Sequence, residues 1–154
     1  RMILRRNLLK TSLLSSLLLL AVCAQGAEDG SKPVQVKIGT ILASNESDQF
    51  DARLKPMERQ LKVMKYRSYR LLKEDSQWVP WNDNATFEIP GGRSLAVSPQ
   101  DSKDKQIALK VRLTEGTKPL LDTTVRLQGR GYFLLGGPPH EGGALVISIS
   151  ASAQ

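Results

Sequence analysis

Cysteine and histidine are almost absent from the sequence: Cys23 and His140 are the single examples of each among 154 residues. An internal disulfide would need a second cysteine. A zinc site takes three or four ligands, mostly Cys and His, from several places in a chain. Neither a disulfide framework nor a metal site is therefore expected, and no cofactor is predicted.

Motifs of common catalysts are also missing. No G-x-S-x-G elbow presents a serine nucleophile, and no Gly-Gly pair precedes the G-K-[ST] of a phosphate-binding loop. Carboxylates occur in two close pairs, Glu74/Asp75 and Asp101/Asp104, which could serve a glycosidase only if a cleft held them at a fixed separation. We therefore expect a non-enzymatic protein, with a small carboxylate-dependent hydrolase as an alternative.

No apolar run is long enough to cross a bilayer as a helix, which takes about 20 residues. The longest run, residues 13–22, is interrupted by two serines; basic residues precede it, and small residues follow it. This order of basic, apolar and small-residue parts is typical of a secretory signal peptide. We predict a signal-peptide helix within residues 1–26 and a flexible leader over residues 27–33.

The signal predicts a bacterial protein that is periplasmic or secreted. An alternative is a lipid anchor in the envelope, because the LAVC of residues 20–23 resembles the lipobox of bacterial lipoproteins, with Cys23 as the acylated residue. Val22 departs from the small residue usual before that cysteine. Membrane contact is expected only through the signal peptide or such a lipid.

Much of the positive charge lies in the predicted signal peptide. The whole chain has 22 basic and 15 acidic residues, a net charge of +7. Without the four basic residues of the first ten, 18 basic residues face 15 acidic ones, a net charge of +3. The most basic later stretch, residues 62–73, interleaves its charges with apolar residues typical of a core. No nucleic-acid partner is therefore expected.

Alternation of apolar and polar residues indicates half-buried strands. It occurs in residues 34–43, 66–73, 86–89, 93–97 and 107–113. Pro90-Gly91-Gly92 predicts a tight turn between two of these segments. Residues 77–84 are expected to form a loop or irregular edge, and residues 98–106 a solvated loop.

One segment has the spacing of a helix instead. Its apolar residues are separated by four, three, four and three positions, which places them on one helix face: Phe50, Leu54, Met57, Leu61 and Met64. Asp51 is a candidate N-cap. Pro56 cannot lie in a regular helix interior, so the helix near residues 52–65 is expected to start late or to kink there.

Residues 123–150 predict a closing β-hairpin. Gly129-Arg130-Gly131 indicates a bulge in its first strand, residues 136–143 form a Gly- and Pro-rich loop, and residues 145–149 alternate as the last strand. Six to eight short strands and one short amphipathic helix predict a mainly β fold. We expect an antiparallel β-sandwich or partly closed barrel in a single domain over residues 34–151.

Two parts of this domain are candidate partner-binding regions. Trp78 and Trp81 belong to the main concentration of aromatic residues, and exposed aromatics stack on ligands at low entropic cost; the alternative is that both belong to the core. The predicted loop carries Pro138, Pro139 and His140. His140 could act as a base beside Glu141, but we expect a solvated turn residue.

Two resemblances bear on the function. The series ILASNES, FDARLKPMERQL, YRSYRLL and TTVRLQGRGYFLLGGPP resembles a group of small secreted bacterial proteins with no assigned activity, which implies an extracytoplasmic domain. Residues 123–138 are similar to the secretin pattern of alternating apolar residues, a glycine turn and a strand ending in Gly-Gly, which implies a hairpin. The expected function is non-enzymatic recognition of a protein or envelope component, with an assembly subunit of a secretion or pilus system as a further alternative.

Overall fold

A computed structural model describes residues 32–153 of the chain. The predicted signal peptide and Cys23 lie outside these residues. Within them the fold is mainly β, and the predicted sandwich is confirmed: two antiparallel sheets of four strands each face one another, and neither closes into a barrel. The strands are β1 Val34–Ser44, β2 Ser68–Val79, β3 Ala85–Ile89, β4 Arg93–Lys103, β5 Gln106–Glu115, β6 Lys118–Gln128, β7 Phe133–His140 and β8 Gly143–Ala153.

The first and last strands pair at the centre of one sheet. The first sheet has the order β2-β1-β8-β7, and the second is a simple meander, β3-β4-β5-β6. The chain changes sheet twice, between β2 and β3 and between β6 and β7. A main apolar cluster fills the space between the sheets, and its largest fully buried members include Phe87, Leu109, Ile147 and Ile149.

A short helical segment covers part of the outer face of the first sheet. It consists of a 3-10 helix, Ala52–Met57, and the α-helix α1, Glu58–Lys62, which together we call the helical cap. Of the two outcomes expected from Pro56, the late start is found, since the α-helix begins only at Glu58. Pro56 lies within the 3-10 part, where no α-type hydrogen bond is lost to its missing N–H.

A second apolar cluster holds the helical cap on the sheet. Leu54, Met57 and Leu61 pack there with residues of β1 and β8 that face away from the main cluster, among them Ile41 and Val146. The buried hydroxyl of Tyr69 donates a hydrogen bond of 2.6 Å to the carbonyl oxygen of Leu61 near the end of α1. A helix this short is marginal alone, so these contacts stabilise it.

A β-bulge in β2 shifts the alternation of side chains along this strand. Thr40 pairs with Lys73 and Ile41 with Leu71, so Leu72 is an extra residue opposite the strand β1. Leu71 packs against the second cluster and Leu72 against the main one. Consecutive residues of a regular strand point to opposite faces. The extra residue changes which positions face the second sheet: Leu72 does so before the shift, and Lys73 and Gln77 do so after it.

Two predicted loops are partly strands in the structure. The first three residues of the loop or irregular edge expected at 77–84 belong to β2, which ends at Val79, whereas residues 80–84 form a loop as predicted. The strands β4 and β5 extend through residues 98–106 except for a turn at Asp104 and Lys105. The side chains of Lys73 and Gln77 donate hydrogen bonds of 3.1 Å to carbonyl oxygens at the free edge of β3. Lys73 and Gln77 are therefore polar because they bond the edge of the second sheet, and not because they lie in a loop.

The predicted closing hairpin is wrong. The strand β6 belongs to the second sheet, and the chain crosses to the first sheet at residues 129–132, where a bulge was expected. The hairpin implied by the secretin-like pattern is therefore absent from residues 123–138. The actual last hairpin joins β7 and β8 through Glu141 and Gly142, both with positive φ, as a tight two-residue turn requires.

The Asp51 carboxylate is expected to stabilise the domain in a pH-dependent way. It accepts hydrogen bonds from the backbone N–H of Arg53 and of Leu71, each at 3.0 Å. The hydrogen-bonded guanidinium of Arg53 lowers the pKa of Asp51 below its usual range. Asp51→Ala should therefore lower the free energy of unfolding at pH 7 by about 1–2 kcal/mol.

Because the folded pKa is the lower one, the stabilisation is present above the unfolded pKa of about 4 and is lost as the pH falls below it. Urea unfolding between pH 7 and pH 3 measures the difference between the two proteins, which should be constant down to about pH 5 and shrink below pH 4. Asp122→Ala is the control, since this carboxylate is 48% exposed in its ion pair. A difference that persists undiminished at pH 3 would contradict the role of the carboxylate.

Candidate functional site

Trp78 lies on the outer face of the first sheet, near the end that the helical cap leaves uncovered. Its neighbours across the strands are Gln35 on β1 and, beyond it, Ser152 on β8. The adjacent pair Val34 and Val79 is buried in the main cluster, so Trp78 points the other way. Half of its surface, 50%, is exposed, which is unusual for the largest apolar side chain.

A shallow depression of about 230 Å³ lies beside Trp78 on the same sheet. Trp78 is not part of its lining, but Gln35, which is, pairs with Trp78 across β1 and β2. The lining consists of Gln35, Lys37, Arg130, Tyr132, Ser150, Ala151 and Ser152. We call Trp78 and this lining the Trp78 face. It combines an exposed aromatic ring with amide, hydroxyl and cationic groups.

Trp81 does not belong to this face. It is partly buried against the main cluster, and its indole N–H donates a hydrogen bond of 3.0 Å to the carbonyl oxygen of Lys32. The ring thus covers an end of the sandwich and its polar atom is already satisfied. The sequence did not decide whether the two tryptophans belong to the core or to a ligand-binding face. In the structure Trp81 lies at the edge of the core and Trp78 is exposed.

The other aromatic residues near Trp78 and Trp81 in the sequence, which are Tyr66, Tyr69 and Phe87, are dispersed in the fold. Phe87 is buried between the sheets, whereas Tyr66 and Tyr69 belong to the second cluster. Tyr69 makes edge contacts with Phe50 at 5.9 Å and with Tyr66 at 6.4 Å between ring centroids. The aromatic concentration seen in the sequence is therefore mostly structural.

The expected binding loop at residues 136–143 is the end of β7 and its turn. Pro138 and Pro139 lie within the strand, next to a bulge. A proline is tolerated there because β7 is an edge strand. His140 is no solvated turn residue: its side chain is 17% exposed, and its Nε2 lies 3.8 Å from the carboxylate of Glu141.

Arg93, on β4 of the second sheet, links to this end of β7 by a hydrogen bond. Its guanidinium donates hydrogen bonds to the carbonyl oxygens of Pro90 at 3.0 Å and Pro139 at 3.3 Å, and to Glu115 at 2.9 Å. Its side chain is only 10% exposed. Pro138, Pro139 and His140 are thus part of a cross-sheet contact and are not near the Trp78 face.

None of the four carboxylates predicted as pairs lines one of the depressions described in this structure. Glu74 and Asp75 are consecutive on β2 and so point to opposite faces, and Asp101 is ion-paired with Arg126. Five depressions on residues 32–153 are each lined by at most one carboxylate. Over the same residues, no group of three or more His, Cys, Asp and Glu converges as a metal site would require.

Most residues of the Trp78 face were missed by the sequence analysis. Gln35 and Lys37 on β1, and Ser150 and Ser152 on β8, occupy the polar positions of strands that were recognised from their apolar ones. Pairing of β1 with β8 at the centre of a sheet brings these positions together. Nothing in the sequence of β1 shows that it pairs with β8, so the Trp78 face can be recognised only once the strand order is known.

Comparisons with protein-family models, with curated proteins and with solved structures gave no match to this chain. No helix in residues 32–153 has the length and apolar character of a membrane span.

Arg93→Gln should lower the free energy of unfolding by about 2–3 kcal/mol, because it removes charged hydrogen bonds from a largely buried position. Thermal or urea unfolding measures the change. Arg112→Gln is the matched control: Arg112 is also paired with an acid, Asp122, but is 54% exposed, and its loss should cost less than about 1 kcal/mol. Equal effects of the two substitutions would show that the cross-sheet contact does not stabilise the fold.

Proposed function

We propose that this chain is a non-enzymatic, extracytoplasmic binding module that recognises an envelope component through the Trp78 face. The observation that carries the proposal is the exposed indole of Trp78 beside Gln35. The fold does not require an exposed tryptophan, since both apolar clusters are complete without it. The export itself follows from the predicted signal peptide and remains a prediction.

A glycan is the ligand chemistry that this face fits best. An indole presents a flat apolar surface on which the apolar side of a sugar ring can stack at low entropic cost. Gln35, Ser150 and Ser152 offer amide and hydroxyl groups that can donate and accept hydrogen bonds. The depression is open and shallow, which suits an extended polymer lying across the strands more than an enclosed small molecule.

A second candidate function is that of an assembly subunit. The strand β7 is an edge whose Phe133, Leu134 and Leu135 are only half-buried, and no hydrogen bond links the described residues of β6 and β7. Such an edge could accept a strand from another chain. A concentration-dependent dimer in size-exclusion chromatography with light scattering would support it, and a monomer at every concentration would contradict it.

Trp78→Ala should weaken binding to envelope glycan by at least about 30-fold, the loss that follows when an aromatic side chain worth about 2 kcal/mol is truncated. The melting temperature should not change, since Trp78 lies outside both apolar clusters. Cosedimentation with purified peptidoglycan sacculi measures the binding. In Trp81→Phe, the control, the glycan affinity should stay at the wild-type value. If Trp78→Ala binds sacculi as tightly as the wild-type protein, the Trp78 face is not the glycan site.

A further inference from the structure

The net positive charge of the described residues is confined to the helical cap and the chain around it. Residues 32–153 carry 18 Lys and Arg and 13 Asp and Glu, a net charge of +5. Residues 51–70 alone carry seven basic and two acidic residues, which is also +5. The remainder of the sandwich is therefore neutral overall, and the cap is a localised cationic surface.

Only part of this charge is neutralised by neighbours. The ion pairs at the cap are Arg53 with Asp51, Lys55 and Lys62 with Glu58, and Arg67 with Asp48. Two lysines thus share one carboxylate. Arg59, Lys65 and Arg70 are exposed and form no ion pair with any acid of residues 32–153. These three side chains are available to an external anion.

An apolar side chain lies among these cations. Val63 is 75% exposed, and Trp78 is the next among the exposed large hydrophobic residues of the described chain. Val63 directly follows α1 in helical conformation, so Arg59, four residues earlier, lies on the same helix face. Lys62 and Lys65 flank it in sequence. The inward side of the cap is already filled by Leu54 and Leu61, so the core does not need Val63.

We propose that the helical cap binds the anionic surface of a lipid bilayer, with Val63 at the boundary of headgroups and acyl chains and with Arg59 and Lys65 on the lipid phosphates. Arg70 is not part of this surface, since it pairs with Leu42 of the main cluster and so lies on the other face of β2 from Tyr69 and Leu71. Basic residues that surround an exposed apolar one are typical of interfacial membrane binding. A purely soluble polyanion would make no use of Val63. The cap contacts the Ser44 end of β1 and Trp78 its Val34 end, so this site is independent of the proposed glycan site.

The test compares lipid binding by two pairs of substitutions. It uses residues 32–153, since all eight strands and both apolar clusters lie in them and residues 1–31 would bind bilayers through their own apolar run. Vesicles of phosphatidylcholine with phosphatidylglycerol should bind the protein, and vesicles of phosphatidylcholine alone should not. Arg59→Gln with Lys65→Gln should lower the partition coefficient about 30-fold, since each basic residue near an anionic surface contributes about five-fold.

The control pair is Lys110→Gln with Lys118→Gln. It removes the same charge from exposed positions of the second sheet, and it should leave the partition coefficient within about two-fold of the wild-type value, because only a cationic surface close to the lipid contributes strongly. An equal loss in both pairs, or no binding of the wild-type domain to anionic vesicles, would overturn the proposal. The double variant Arg59→Gln with Lys65→Gln should still bind sacculi as the wild-type protein does. Failure of the lipid-binding proposal can therefore be distinguished from failure of the proposed glycan binding at the Trp78 face.

A fluorescent label distinguishes a bilayer from a soluble polyanion. Residues 32–153 contain no cysteine, so Val63→Cys takes one environment-sensitive dye. Its emission should shift to the blue on anionic vesicles and not on heparin or duplex DNA, whereas a dye on Lys110→Cys should not shift with any of them. A shift of the dye at position 63 with heparin or DNA but not with vesicles would overturn the proposal.

Discussion

The structure depends on how the central strand pair, β1 with β8, is buried. At one end, both faces of this pair are covered: the inner face by the second sheet and the outer face by the helical cap, through residues such as Ile41 and Val146. At the other end only the inner face is covered. The bulge at Leu72 and the buried Tyr69 lie where β2 meets the covered end, and they join the cap to the sheet.

This difference between the two ends divides the outer face into a covered half and an open half. In the open half, the inner positions of the strands must be apolar, but the outer ones are free of that constraint. An exposed tryptophan beside Gln35 and a row of serines is therefore a feature that folding does not explain. The same reasoning applies to the cap, whose inward residues hold the fold while Arg59 and Val63 remain on its outer side.

Strands that face the core on one side could be predicted from the sequence, because their apolar residues alternate: β1, the β3–β4 hairpin, β5 and β8. Other segments could not be predicted, because a constraint other than burial determines which of their residues are polar. Gln77 is polar because it bonds the edge of the facing sheet, and Pro138 and Pro139 sit in an edge strand that does not need their N–H groups. The change of sheet after β6 keeps the alternation of apolar residues, and the Gly129-Arg130-Gly131 that marks it was interpreted as a bulge within one strand. Of the candidate site, Trp78 was found, but its partners depended on pairing between distant strands.

The most direct test of this account uses the two indole N–H signals of the chain, which contains only Trp78 and Trp81. In a ¹⁵N-labelled protein, the indole proton of Trp78 should exchange with water fast, and that of Trp81 slowly because it is bonded to Lys32. On addition of soluble peptidoglycan fragments, the Trp78 signal should move and the Trp81 signal should stay. A Trp78 signal that is protected in the free protein and unaffected by the fragments would contradict the division of the outer face on which the account rests.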